Sequence, residues 1–166
     1  KSPHYEAFSA FLREHADHEL YRADAVALER NSRDFVERAH VMSRNSVGLY
    51  EYLIRHPQVE RVWHGINEGG PGYRFLQRAE GHGCLLSFTL KDPAATPAFY
   101  DELAVCKGPS LGTRFTLVCP YTLLAHYQEL DWAESCGADR YLIRISAGLE
   151  PLDDLIARLD EALARA

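Results

Sequence analysis

Arg144 is the residue whose type and position point most directly to chemistry in this chain of 166 residues. It lies in the middle of residues 141–147 (YLIRISA), where alternating side chains predict a β-strand. One face of that strand carries Ile143 and Ile145, and the opposite face carries Arg144 and Ser146. A cation at such a position needs an acid, a ligand or water beside it, because burying an unpaired charge is expensive. The planar donors of the guanidinium match a carboxylate, so we predict a carboxylate site, with an internal salt bridge or exposure to water as the alternatives.

The segment 109–112 (PSLG) is the second candidate for chemistry. Its proline and glycine predict a turn, in which Ser110 and neighbouring backbone N–H groups could present donors to an anion. A plain turn without a ligand is the alternative interpretation. The glycine-rich segment 69–72 lacks the Gly-Lys-Ser/Thr ending of a phosphate-binding loop, and we interpret it as a flexible connector.

Other reactive side chains lack the spacing that familiar sites need. The 8 histidines are scattered and the 4 cysteines form no Cys-x-x-Cys pair, so no metal site is predicted. Cys84 and Cys119 lie in apolar runs and are predicted to be core residues. No Gly-x-Ser-x-Gly motif supports a hydrolase. Any chemistry that needs a lysine has only Lys1, Lys91 and Lys107 to use.

The composition excludes several classes of protein. Lys and Arg number 18 against 24 Asp and Glu, a net charge of −6 without a basic block, so nucleic acid is not expected as a partner. The length and the 46% hydrophobic content fit one domain with a real core. No apolar run approaches the ~20 residues of a membrane span, and the N-terminal residues lack the apolar region of a signal peptide. Together with the unpaired cysteines, these features predict a cytoplasmic protein without a membrane partner.

Hydrophobic periodicity predicts the elements that must position these residues. Helices are predicted at residues 5–20, from a cap at Asn31 or Ser32 to Leu53, at 97–103 after a Thr96 cap, and along the apolar stripe from Leu152 to Leu163. Strands are predicted at 59–63, 84–90, 115–119 and 141–147, with 22–30 as a connector or short helical turn and 122–134 partly helical. This order predicts an α+β fold, an antiparallel or mixed sheet covered by helices. We expect an N-terminal helical segment at 1–30 and the α+β domain at 31–166.

Four segments of the sequence resemble one enzyme family, and they occur in that family's order. They are residues 30–64 (RNSRDFVERAHVMSRNSVGLYEYLIRHPQVERVWH), 81–88 (GHGCLLSF), 104–126 (AVCKGPSLGTRFTLVCPYTLLAH) and 141–156 (YLIRISAGLEPLDDLI). Together they are similar to the Cys/Met-metabolism enzymes that use pyridoxal 5'-phosphate (PLP). The residues of these segments most resemble those of the cystathionine γ-synthases of the fungal type.

The resemblance implies the small C-terminal domain of a fold-type I PLP-dependent transferase, entered through a long helix. It implies that Arg144 binds the α-carboxylate of the substrate and that Ser110 lies beside that carboxylate and the cofactor lysine. The implied reaction is γ-replacement in transsulfuration and methionine biosynthesis: an activated homoserine ester loses its acyl group and cysteine's sulfur adds, giving cystathionine. Pro109 stands where many family members have an acidic residue, so elimination stays open beside replacement. Gly112-Thr113 stands where many members have Gly-Gly.

The family's Schiff-base lysine lies upstream of the segment that this sequence resembles, and no lysine here matches its motif. The resemblance therefore implies that an N-terminal PLP-binding domain holds the cofactor and that this chain alone is inactive. The expected partners are that domain, a small amino-acid substrate and further copies of the chain in a dimer or tetramer. The alternatives are a stand-alone, non-catalytic binding module of the same fold, or a related γ-lyase, sulfhydrylase or secondary-metabolic γ-substitution enzyme.

Overall fold

A computed structural model describes residues 4–15, 20–68 and 81–166, and the chain divides into two compact units, Lys1–Phe35 and Val36–Ala166. The first unit contains helices α1 (Tyr5–His15) and α2 (Arg22–Ser32). Residues 22–30, predicted as a connector or a short helical turn, are therefore helical, and the helix is longer than one turn. Charged residues interrupt the small apolar side chains of this segment, so its sequence lacks the stripe of large apolar residues that marked α1 as a helix. The predicted connector at 69–72 lies outside the described residues.

A mixed five-stranded sheet organises the second unit, after the long helix α3 (Phe35–Leu53). Its strands are β1 (Val59–His64), β2 (Leu85–Leu90), β3 (Cys106–Lys107), β4 (Leu117–Pro120) and β5 (Ile143–Ser146). The order across the sheet is β1-β2-β5-β4-β3, and only β3 and β4 among these neighbours run parallel. The predicted α+β fold class with a mixed sheet is confirmed, and β5 lies at the centre of the sheet.

Shorter helices connect the strands, and a long one ends the chain. They are α4 (Gly65–Glu68), α5 (Thr96–Glu102), α6 (Tyr121–Ala125), α7 (Leu130–Ser135) and α8 (Leu152–Arg165). The predicted Thr96 cap is wrong, because Thr96 lies inside α5 and is buried. A 3₁₀ turn at Pro93–Ala95 precedes α5, and Asp92 caps that turn by accepting a hydrogen bond from the Ala94 N–H at 3.0 Å.

The hydrophobic core lies on one face of the sheet. Ile143 and Ile145 of β5 are 0% and 2% exposed, and they pair with Phe88 and Leu86 of β2. Helices α3 and α8 cover this face with Leu49, Leu53, Leu155, Leu159 and Leu163. Burying each such side chain stabilises the fold by roughly 1.5–3 kcal/mol. Because side chains alternate along a strand, this core fixes Arg144 on the opposite face.

The turn that follows β5 is tied to two neighbouring elements. The side chain of Asn45 in α3 donates to the carbonyls of Gly148 and Glu150, at 2.9 and 2.8 Å. The Glu150 carboxylate accepts from the N–H and hydroxyl of Thr116, at 2.7 and 2.9 Å, and the Gly148 N–H donates to the same hydroxyl. These buried bonds hold the end of β5 against the start of β4.

No helix in the described ranges is long and apolar enough to cross a membrane. Within the same residues there is no group of three or more His, Cys, Asp or Glu side chains that could hold a metal ion.

Candidate substrate-carboxylate site

Arg144 lies on the face of β5 that points away from the core. Its neighbours across the sheet are Ser87 on β2 and Cys119 on β4. Ile143 and Ile145 are buried while Arg144 is half-buried, so the predicted division of the two strand faces is confirmed. The register places two small side chains beside the long one, which leaves the guanidinium room to reach beyond the sheet.

The guanidinium is held by a backbone carbonyl and an aromatic ring. One terminal N–H group of Arg144 donates to the carbonyl of Pro109. The Arg144 Cζ lies over the ring of Tyr121, 5.2 Å from its centroid, which is within cation–π range. Within the described part of the chain, Arg144 has no ion pair with Asp or Glu. An internal salt bridge therefore does not account for this arginine.

One donor of the guanidinium has no acceptor. The Nε atom of Arg144 is buried and has no hydrogen-bond partner among the residues that the structure describes. A buried donor left unpaired costs roughly 1–3 kcal/mol, and more when the group is charged. That buried atom faces the Cys119 side of the sheet, so the donor open to a ligand is the terminal N–H group that does not bond to Pro109. A carboxylate is the acceptor that best matches it.

The loop that carries Ser110 is fixed to β5 at two points. Arg144 donates to Pro109, and the hydroxyl of Ser146 accepts from the Gly112 N–H at 3.0 Å. Gly112 has a φ of +69°, a left-handed conformation that favours glycine. Ser110 is exposed between these two anchors. The structure therefore brings the loop that carries Ser110 to Arg144, through the carbonyl of Pro109.

Sequence reasoning missed three of the residues in this arrangement. Cys119, Ser87 and Tyr121 come from other segments, and only strand register places them beside Arg144. The prediction that Cys119 is a core residue is confirmed, since it is 1% exposed, whereas Cys84 is only half-buried. Burial raises the pKa of the Cys119 thiol, and the Arg144 cation offsets part of that rise.

The two described lysines, Lys91 and Lys107, differ in their surroundings. Lys107 donates to the carbonyls of Leu103, at 2.6 Å, and Tyr100, and its Nζ lies 4.6 Å from the Tyr100 ring centroid. It therefore caps the carboxyl end of α5, and burial lowers its pKa. Lys91 is exposed in the turn after β2, and Lys1 lies outside the described residues.

The sequence of this chain was compared with models of known protein families. The family model of the Cys/Met metabolism PLP-dependent enzymes matches residues 6–164. The chain belongs to this family. The resemblance stated from the sequence is confirmed, and PLP is the cofactor to which membership of the family points.

Several members of the family are similar to this chain over most of its length. A cystathionine γ-synthase of Neurospora crassa is 43% identical over 164 residues, which cover 98% of this chain and 26% of that protein. The cystathionine γ-synthase of Xanthomonas oryzae pv. oryzae, solved with cystathionine, has a TM-score of 0.72 at 28% identity, over 82% of this chain and 36% of its own. The cystathionine γ-lyase of Lactobacillus plantarum, solved with L-serine, has a TM-score of 0.79 at 25% identity, over 99% of this chain and 44% of its own. The chain thus spans about a quarter of the Neurospora protein's length.

Proposed function

We propose that this chain supplies the substrate-carboxylate site of a PLP-dependent cystathionine γ-synthase-like enzyme and works with a PLP-binding domain. The observation that carries the proposal is the half-buried Arg144 guanidinium, which has no acidic partner among the described residues and is bonded to Pro109 of the Ser110 loop. The reaction is γ-replacement on an activated homoserine ester with cysteine, giving cystathionine. PLP, when bound, supplies the electron sink that this chemistry needs.

Each residue of this chain has a positioning task in the proposal. Arg144 binds the α-carboxylate of the amino acid through its free in-plane donors and so fixes the orientation of the substrate. Ser110 stands at the same carboxylate, on a loop whose ends are held by Arg144 and Ser146. Placing the carboxylate in one position holds the rest of the amino acid at a fixed distance from the PLP-binding domain. In this proposal, Arg144 and Ser110 orient the substrate and are not assigned a role as acid or base.

A γ-lyase is the second candidate, because two observations leave elimination open beside replacement. The similarity to the Lactobacillus plantarum cystathionine γ-lyase extends over 99% of this chain. Pro109, which precedes Ser110, cannot supply the acidic side chain that many family members carry there. The carboxylate site serves both reactions, and both release the carboxylic acid of the ester. The other products separate them: cystathionine for replacement by cysteine, and 2-oxobutyrate with ammonia for elimination, which consumes one water.

The partners and the compartment belong to the same proposal. We place the chain with a PLP-binding domain, on the same polypeptide or a separate one, in a dimer or tetramer. The four free cysteines suit a reducing compartment, and we propose the cytoplasm. A stand-alone binding module would keep the carboxylate site without ever being activated by a PLP-binding domain.

The test is steady-state kinetics of this chain together with its PLP-binding domain. Arg144→Gln is expected to raise KM for the amino-acid ester, because losing a charge-assisted pair costs roughly 2–5 kcal/mol when the partner stays buried. Arg55→Gln, an exposed arginine beyond α3, is the matched control and keeps wild-type kinetics. An Arg144→Gln enzyme with an unchanged KM would overturn the carboxylate assignment. A chain that no PLP-binding domain activates would favour the stand-alone module.

A further inference from the structure

We propose that Tyr121 is a positioning residue for Arg144, and that its ring fixes the plane in which the guanidinium presents its donors. The Arg144 Cζ lies over the Tyr121 ring at 5.2 Å from the centroid. This is the distance range in which the electron-rich face of a tyrosine attracts a cation. The inference deepens the proposed function, since its kinetic readout assumes that Arg144 binds the substrate carboxylate.

The backbone of Tyr121 is fastened to the strand that carries Arg144. Tyr121 follows Pro120, the last residue of β4, which pairs with Ile143 of β5. The Tyr121 N–H then donates to the carbonyl of Leu142 at 2.8 Å, two residues before Arg144. The ring and the guanidinium therefore start from backbone positions that move together.

The Tyr121 ring is also held from its edge. His126 meets it in an edge-to-face contact, with ring centroids 6.3 Å apart and planes at 72°. The His126 Nδ1 lies 2.8 Å from a carboxylate oxygen of Glu129, and the His126 N–H closes α6 by donating to Thr122 at 2.9 Å. Trp132 packs against His126 with centroids 6.0 Å apart. Tyr121 is thus one side of a packed cluster and has little freedom to swing away.

A ring on the face of a guanidinium affects orientation without consuming a donor. The five N–H donors of arginine lie in its plane, where a carboxylate is bound, while a cation–π contact uses the face. Pro109 occupies one donor group, and the ring restricts rotation of the rest. An arginine ordered before binding loses less conformational freedom when the carboxylate arrives, so the substrate binds more tightly.

The experiment compares ring-free and ring-keeping variants of the active complex with the PLP-binding domain. Tyr121→Leu, and Tyr121→Met as a second ring-free variant, should raise KM for the amino-acid ester about threefold to tenfold and leave kcat within about twofold. Tyr121→Phe keeps the ring and should retain KM within about twofold of the wild type. Tyr127→Leu removes a tyrosine that is 76% exposed and is the matched control with unchanged KM.

A double-mutant cycle separates this role from a general structural one. In an Arg144→Gln background, Tyr121→Leu should raise KM no further, because the group that the ring orients is already gone. An equal effect of Tyr121→Leu in both backgrounds would overturn the inference, as would a wild-type KM in the single variant. If Arg144→Gln itself leaves KM unchanged, the proposed function fails instead, so the two failures are distinguishable.

Discussion

Protonation of His64 should destabilise the fold in mild acid. This side chain is 3% exposed, at the end of β1, and it stacks on Tyr50 with ring centroids 5.2 Å apart. Its Nδ1 accepts from the Ile66 N–H at 3.2 Å, so the proton of the neutral ring lies on Nε2, 3.2 Å from the Ser46 hydroxyl. A second proton would have to sit on Nδ1 and would face another donor.

The size of the effect follows from the pKa of His64. Burial, with a smaller contribution from His82, lowers that pKa from 6.5 to about 4. A depressed pKa means that the unfolded chain takes up the proton first, so the stabilisation is complete above about pH 6.5 and is lost as the pH falls toward about 4. One pKa unit corresponds to about 1.4 kcal/mol, which gives a loss of about 3 kcal/mol over the whole window and about 1 kcal/mol by about pH 5.5.

Equilibrium urea unfolding, followed by tryptophan fluorescence, measures this loss. His64→Gln keeps an amide donor near Ser46 and cannot be protonated in this range. The difference in unfolding free energy between wild type and His64→Gln should shrink by about 1 kcal/mol between about pH 7.5 and about pH 5.5. His40→Gln, at an exposed position of α3, is the matched control and should leave the wild-type pH dependence intact. A difference between wild type and His64→Gln that is the same at both pH values would refute the reasoning.

Two further predictions concern the strand ends beside the site and are measured by urea unfolding. Gly148→Ala should lower the free energy of unfolding by about 1–3 kcal/mol, because the new Cβ would meet backbone atoms of Phe115 and Thr116 at 2.5 Å. Gly48→Ala, whose Cβ meets only the flexible side chain of Leu152, should cost less, and equal losses would contradict the account. Thr122→Val should leave stability unchanged or raise it, because the buried Thr122 hydroxyl has no partner within the described residues. Thr116→Val should lower stability by about 1–3 kcal/mol, since it leaves the Gly148 N–H and the Glu150 carboxylate without that hydroxyl. A Thr122→Val loss as large as that of Thr116→Val would be the contradicting result.

Local patterns predicted the elements that bury a regular apolar face. The apolar stripe of α8 and the alternation of side chains in β5 are strong signals, because one side of each element packs against the core and the other side does not. Helix α1 was recognisable from its apolar spacing although Phe8 and Phe11 are exposed, whereas the sequence of α2 has no comparable stripe of large apolar residues. The Thr96 cap failed because Asp92 had already begun the turn four residues earlier, and the Asp-Pro pair was the signal that could have shown it. The order of the strands follows from long-range pairing, which periodicity does not encode.

The site was predictable to the extent that it lies on one strand. Alternation around Arg144 placed it on the face away from the core, and the turn at 109–112 was recognisable from its proline and glycine. That Pro109 accepts from Arg144 depends on how the loop folds back across β5, and that Tyr121 lies under the guanidinium depends on the pairing of β4 with β5. Neither contact can be predicted from the residues next to it in the sequence.

The central claim, that Arg144 binds a substrate carboxylate, is tested most directly by ligand discrimination. The complex of this chain with its PLP-binding domain is titrated with 2-aminobutyrate and with its amide, and binding is followed by PLP absorbance. We expect the wild type to bind the acid at least about tenfold more tightly than the amide, and Arg144→Gln to bind both alike. An Arg144→Gln complex that still prefers the acid to the wild-type extent would contradict the claim.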